Sequence, residues 1–173
     1  NKAIDLGIQE FKVASCSCVE WSLLREVVNS GKPVTISTGG RNLKEIDEIY
    51  SYFAHLIPNN FTLMHCCGIY PAPKQSLNLK SISNFKERYP LAKIGYSGHE
   101  DPDNHLVSSL AITLGAEAIE RHIGKEDLIN GININKYSIN SSSINDWLEA
   151  LLETKICLGH SKDYKYKNNV ELD

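Results

Sequence analysis

The sequence predicts a parallel α/β fold, and three observations carry that prediction. Short apolar runs alternate five times with segments of helical spacing, the pattern of successive β-α-β crossovers. Gly, Asn and Pro stand where each helix would have to stop. Lys, Ser, Thr and His gather at the exits of the apolar runs instead of scattering along the chain. An open doubly wound sheet and a (β/α)8 barrel both satisfy this pattern. The fingerprints G-x-G-x-x-G and G-x-x-x-x-G-K-[ST] are absent, which weighs against the nucleotide-binding doubly wound folds.

The elements follow in order. Phe11 to Ser15 is a short strand ending in small residues, and Val19 to Asn29 follows as a helix with Leu23, Leu24, Val27 and Val28 on one face. Asn29-Ser30-Gly31 stops it, and Pro33 precedes the second strand, Val34 to Ser37. Asn42 is placed as an N-cap, with Glu45 three residues on as its capping-box partner. The helix it opens carries Leu43, Ile46, Ile49, Tyr50 and Phe53 as a stripe. Phe61 to Cys66 is the third strand and Leu79 to Arg88 the next helix. Lys93 to Ser97 is the fourth strand, Leu106 to Leu114 a helix closed by Gly115, and Ala118 to His122 the fifth strand. Ser143 to Leu158 is the last helix, with Trp147, Leu148, Leu151, Leu152 and Ile156 apolar and Gly159 as its stop. Asn1 to Leu6 reads as the tail of a preceding helix.

Composition narrows the function classes. The chain has 173 residues, 23% of them charged, and a formal net charge of −3. This fits a globular domain, with no electrostatic reason to bind nucleic acid or an anionic membrane. Its apolar runs are too short to span a bilayer. The five cysteines are odd in number. Cys16-x-Cys18 and Cys66-Cys67 make a poor disulfide framework, so reduced thiols in a cytoplasmic protein are expected. Their spacing also departs from the usual C-x₂₋₄-C of zinc sites.

The strand exits are where chemistry is expected. Lys12 and Ser15 end the first strand, Ser37, Thr38 and Gly39 the second, His65 and Tyr70 flank the third, Ser97, Gly98 and His99 end the fourth, and Arg121 and His122 the fifth. In a parallel barrel these ends share one rim, where active sites are built. A lysine, several hydroxyls and glycine amides suit a phosphate or carboxylate. His99 and His122 on adjacent exits suit a divalent metal with open positions. Lys12, inside an apolar strand, is expected to be buried and to need an anionic partner.

Five motifs, in order and in approximate register, resemble the N-acetylneuraminate (sialic acid) synthase family. They are Phe11-Lys12-Val13-Ala14-Ser15, Gly31-Lys32-Pro33-Val34 leading to Ser37-Thr38-Gly39, His65-Cys66 through Ile69-Tyr70-Pro71, Gly95-Tyr96-Ser97-Gly98-His99, and Glu120-Arg121-His122. The resemblance runs from about Leu6 to Leu158. It implies a (β/α)8 barrel condensing phosphoenolpyruvate with an N-acylated, N-acetylmannosamine-like amino sugar to a nonulosonic (sialic) acid and phosphate, assisted by Mn2+ or Mg2+. On that resemblance His99 and His122 fall on the metal-ligand positions. Lys12, Ser15, Ser37 and Ser97 fall on phosphoenolpyruvate positions, and Tyr70 and Asn133 on the sugar side, with Lys12, His99 and His122 as the catalytic set. His65 belongs to the pattern without an assigned role. Synthases for legionaminate- or pseudaminate-type sugars, and a non-catalytic barrel that binds a small anion, stay open as alternatives.

The chain departs from the family pattern at four places. Ser17 and Asn133 stand where carboxylates are usual, Gly68 where Asn is frequent, and Gly98 where Asp usually precedes the metal histidine. A (β/α)8 barrel needs ~250 residues. Five β/α units are therefore expected to be strands four to eight of an incomplete barrel, spanning 1–160, with 161–173 a polar linker toward an absent C-terminal domain. Such a segment alone is expected to be inactive, and the complete protein a homodimer.

Overall fold

The computed structural model describes residues 5–124, 128–129, 132–133 and 136–159. Five parallel strands form one sheet in sequence order: β1 (Phe11–Val13), β2 (Val34–Ser37), β3 (Phe61–Cys66), β4 (Lys93–Gly98) and β5 (Ala118–Arg121). Helices α1 (Trp21–Asn29), α2 (Leu43–Leu56), α3 (Ser81–Arg88), α4 (His105–Thr113) and α5 (Ile144–Leu158) fill the connections and follow the last strand. No strand is inserted out of turn, which excludes the reversal of strand order of a doubly wound sheet. The architecture is an incomplete (β/α) barrel of five units. Among the described residues β1 pairs only with β2, and β5 only with β4.

The strands alternate between two environments because successive side chains point to opposite faces. The register pairs Lys12 with Thr35, Ser37 with Met64, Cys66 with Ser97, and Ser97 with Glu120. One face of the sheet therefore carries Lys12, Ser37, Met64, Cys66, Ser97 and Glu120. The other carries Val13, Ile36, Leu63, Ile94 and Tyr96, all buried against the helices. Gly95 lies on the first face, where a Cβ would collide with the Met64 thioether; glycine makes the room that Met64 fills.

The helices form where the sequence places them, with informative differences. Asn42 caps α2 as predicted: its side chain accepts from the Glu45 N–H at 3.0 Å, and the Glu45 carboxylate accepts from the Asn42 N–H at 2.8 Å. Ile46, Ile49 and Phe53 are buried beneath it, whereas Leu43, in the first turn, is exposed. Gly31 (φ 68°) and Gly115 (φ 101°) take the left-handed conformation after α1 and α4, where a side chain would be strained. β1 is shorter than predicted, because Ser15–Ser17 turns into a 3₁₀ helix. The expected stripe of α5 is mostly uncovered. Trp147 is buried, but Leu148, Leu152 and Ile156 are exposed. The reason is that α5 meets α4 through a face offset from that stripe, on which Trp147 Nε1–H donates to Ser108 Oγ at 3.2 Å and Thr154 Oγ1 to Ser109 Oγ at 2.8 Å.

Two short antiparallel strands that the periodicity did not reveal, β6 (Leu128–Ile129) and β7 (Ile132–Asn133), lie between β5 and α5. The expected helix tail at Asn1 to Leu6 falls largely outside the described residues, as does the polar stretch 161–173. No helix among the described residues is long and apolar enough to cross a membrane.

Candidate active site

The sheet's concave face brings three of the predicted polar residues, Lys12, Ser37 and Ser97, into one chain of hydrogen bonds and an ion pair through Glu120. Lys12 Nζ donates to Ser37 Oγ at 2.8 Å and lies 3.5 Å from a Glu120 carboxylate oxygen; the other Glu120 oxygen accepts from Ser97 Oγ at 2.8 Å. The anionic partner expected for Lys12 is therefore Glu120, two residues before His122. The expectation of a buried lysine is corrected: the Lys12 and Glu120 side chains keep 38% and 37% of their surface. A strand with apolar neighbours still carries an accessible side chain when every second position faces the open interior. Glu120 is the residue that the sequence reading passed over. Its signal was present, since it lies two positions from Ala118 on the same face.

Ser15 stands beside this chain. Its hydroxyl accepts from the Gly39 N–H at 2.9 Å and approaches Cys66 Sγ at 3.8 Å. A Cβ at Gly39 would lie 2.8 Å from Cys66 Sγ and 3.0 Å from Ser15 Oγ, so glycine is what allows the β2 exit to close against β1 and β3. Burial pushes the Cys66 thiol pKa up, which keeps it protonated.

A second cluster sits at the β4 and β5 exits. The His99 and His122 ring centroids are 5.2 Å apart, with the Tyr70 ring 4.0 Å from His99 and the Tyr137 ring 5.0 Å from His122. His99 is buried, and its Nδ1 lies 2.9 Å from the Cys67 carbonyl oxygen. A carbonyl only accepts, so Nδ1 carries the proton and Nε2 keeps its lone pair. Burial, helped by neighbouring His122, lowers the His99 pKa and favours the neutral ring that a metal needs. His122 is held through its backbone: its carbonyl accepts from the Ile139 N–H at 2.8 Å, and the Gly124 N–H donates to the Ile139 carbonyl at 3.0 Å. That bridge brings Tyr137 to the site, a residue with no motif to announce it. Tyr70 is brought over His99 by its loop, in which the Tyr70–Pro71 peptide is cis and the Ala72 N–H donates to the His99 carbonyl at 2.7 Å.

Two imidazoles with one free ring nitrogen fixed fit a divalent cation that keeps open positions for water or substrate. Among the described residues no group of three or more His, Cys, Asp or Glu is gathered closely enough to hold a metal ion.

The remaining positions sort clearly. His65 lies on the helix-facing side of β3, its Nε2 2.8 Å from the Leu77 carbonyl and its ring edge-on to Phe85; it packs the wall and does not enter the site. Ser17 Oγ donates to the Glu20 carboxylate at 2.9 Å, so a carboxylate stands next to the position that lacks one. Gly68 lies against the Gly39–Gly40 backbone, with ordinary contact space for a Cβ. Asn133 lies in β7 opposite Leu128, and its side chain falls outside the described residues. All five cysteines are free thiols.

Comparison with known proteins shows the family to which the chain belongs. The NeuB family matches residues 2–163. The chain belongs to the NeuB family. Among its relatives, the N-acetylneuraminate-9-phosphate synthase of Homo sapiens is 34% identical over 119 residues, 69% of this chain and 32% of that protein. The N,N'-diacetyllegionaminic acid synthase of Campylobacter jejuni is 33% identical over 129 residues, 73% of this chain and 38% of that protein. The crystal structure of N-acetylneuraminic acid synthetase from Leptospira borgpetersenii superposes with a TM-score of 0.82 at 28% identity, covering 96% of this chain and 55% of that one. The chain thus spans a third to about half of the length of these NeuB-family relatives.

Proposed function

We propose that this chain forms the C-terminal part of the barrel, strands four to eight, of a synthase that condenses phosphoenolpyruvate with an N-acylated amino sugar to a nonulosonic acid and phosphate. The observation that carries this reading is the convergence of Lys12, Ser37, Ser97 and Glu120 on the concave face directly below the His99–His122 rim. An ammonium and hydroxyls can hold a phosphorylated carboxylic acid there, next to a place that suits a polarised carbonyl.

The chemistry assigns work to each group. The C3 carbon of phosphoenolpyruvate forms a bond to the aldehyde carbon of the open-chain sugar, C2 becomes electron-poor, water adds there, and phosphate leaves. A Mn2+ or Mg2+ ion held by His99 and His122 would polarise the aldehyde oxygen as a Lewis acid. Lys12 balances the anionic charge of phosphoenolpyruvate, exchanging its contact with Glu120 for one with the ligand. Ser37 and Ser97, with Ser15 and the Gly39 amide beside them, orient the ligand by hydrogen bonds. Glu120, freed from Lys12, faces the same space, takes one proton of the water that adds to C2 and passes it to the former aldehyde oxygen, which becomes a hydroxyl. The second proton leaves with phosphate as the bond between C2 and the phosphate oxygen breaks and C2 becomes a ketone. Tyr70 and Tyr137 wall the imidazoles on the sugar side.

Identity to an N-acetylneuraminate-9-phosphate synthase and to an N,N'-diacetyllegionaminic acid synthase is nearly equal, so the substrate is proposed as a class, the N-acylated amino sugars. The test is phosphate release by the full-length protein given phosphoenolpyruvate, Mn2+ and a panel of N-acetylated hexosamines. Release that needs one of those sugars is expected. Binding of phosphoenolpyruvate without turnover on any sugar would overturn the synthase reading in favour of a small-anion-binding barrel.

A further inference from the structure

We propose that Glu100 and Arg121 are positioning residues that fix the separation of His99 and His122. The inference rests on the reading of those histidines as the metal-holding pair, and goes beyond it to residues that touch neither metal nor substrate.

The connectivity makes the case. Glu100 directly follows His99, and Arg121 directly precedes His122. An ion pair between Glu100 Oε1 and Arg121 Nη1 therefore ties together the backbone segments that present the two rings. The tie is doubled, because Arg121 Nη2 donates to the Glu100 carbonyl at 2.9 Å and also reaches the Tyr137 carbonyl at 3.4 Å. Tyr96 Oη donates to the remaining Glu100 oxygen at 2.7 Å. The side chains of Arg121 and Glu100 keep 2% and 1% of their surface. Burying two charges is expensive, and a well-packed apolar pair would serve stability as well or better. The pair's location, one residue from each imidazole, gives it a use that stability does not.

Gly98 shows how the carboxylate reaches this place. A Cβ at Gly98 would lie 2.7 and 2.9 Å from the two Glu100 carboxylate oxygens and 2.8 Å from Arg121 Nη1. These tips are buried and paired, so they cannot swing aside without breaking the tie. The chain can hold a side chain at 98 or the Glu100 carboxylate in this space, but not both. The absence of an acid at 98 is then no loss of charge beside Arg121, because Glu100 supplies it from two residues on.

The experiment titrates Mn2+ into the full-length protein without substrate, following free Mn2+ by electron paramagnetic resonance, with folding checked by near-ultraviolet circular dichroism. Glu100→Gln keeps the shape and removes the charge. It is expected to weaken Mn2+ binding by about tenfold or more, as loss of a group that orients a metal ligand does. Gly98→Asp is expected to weaken it similarly by displacing Glu100. Gly98→Asp/Glu100→Ala is expected to recover most of the loss, because one carboxylate again occupies the space. Folded Glu100→Gln that binds Mn2+ like the unaltered protein would overturn the proposal, and so would failure of the double variant to bind more tightly than Gly98→Asp. Where Glu100→Gln does not fold, the comparison of the double variant with Gly98→Asp decides. His99→Ala separates the two levels of the reading. If it binds Mn2+ unchanged, or the unaltered protein binds none, the metal pair itself is wrong and the proposal falls with it. If it abolishes binding while the Glu100 variants do not alter it, only the positioning role fails.

Discussion

Two ion pairs bind the exits of these strands, and they differ in almost every respect that matters. Lys12–Glu120 spans the concave face, with more than a third of each side chain open to solvent. Glu100–Arg121 lies on the helix-facing side of β4 and β5, sealed to 1–2%. An exposed pair is worth little to stability and can be exchanged for another partner at small cost. A sealed pair has nowhere to go, and removing one member strands a buried charge. The same chemistry thus serves two purposes: one pair is free to trade its contact for a ligand's, and the other holds fixed the residues next to it.

The strongest way to break this contrast is Arg121→Leu. It leaves the Glu100 carboxylate buried without its cation, and urea unfolding should show a loss of about 3–5 kcal/mol. A loss under about 1 kcal/mol would mean that the pair is not sealed. Tyr96→Phe removes one hydrogen bond to the same carboxylate and should cost about 1–3 kcal/mol in the same measurement. His65 sharpens the contrast through pH. Burial lowers its pKa from the ordinary 6.5, so the unfolded chain takes up a proton before the folded one does. Its contribution to stability is full above pH 6.5 and is lost as pH falls toward the lowered folded value. Melting curves between pH 7.5 and 5 should decline less steeply for His65→Phe than for the unaltered protein. The smallest effect on stability is expected from Lys12→Met, about 0–1 kcal/mol. Phosphoenolpyruvate binding by the same variant, followed by calorimetry, should nonetheless collapse, and equal binding would refute the exchange of partners.

Much of this is legible in the sequence alone. Short apolar runs closed by Gly31, Pro33 and Gly115 announce the strand–helix alternation, and the Asn42–Glu45 spacing announces a capping box that forms as written. Lys12, Ser37, Ser97, His99 and His122 stand out because polar residues at strand exits have no packing excuse. Glu120 was legible only by counting alternate positions, which places it on the face of Lys12. Glu100, Arg121 and Tyr137 were not legible as a unit, since their contacts join separate elements and follow no period. His65 misled in the opposite direction: a strand-exit histidine that turns to the helices looks, in sequence, like one that turns to the site. The α5 stripe misled too, because periodicity records which residues share a face and not whether anything covers it.

The Lys12–Glu120 contact is also a gauge of curvature. Strands in a sheet lie about 4.8 Å apart, so a flat arrangement would hold β1 and β5 roughly 19 Å from each other. A lysine and a glutamate cannot bridge that gap, yet their charged ends stand 3.5 Å apart. The first and last strands of the arc touch through these side chains only because the sheet rolls toward closure. The anion-suited chain is therefore assembled by the bend, whereas the His99–His122 pair needs only two neighbouring strands. Anything that opened the arc would dismantle the former and leave the latter standing.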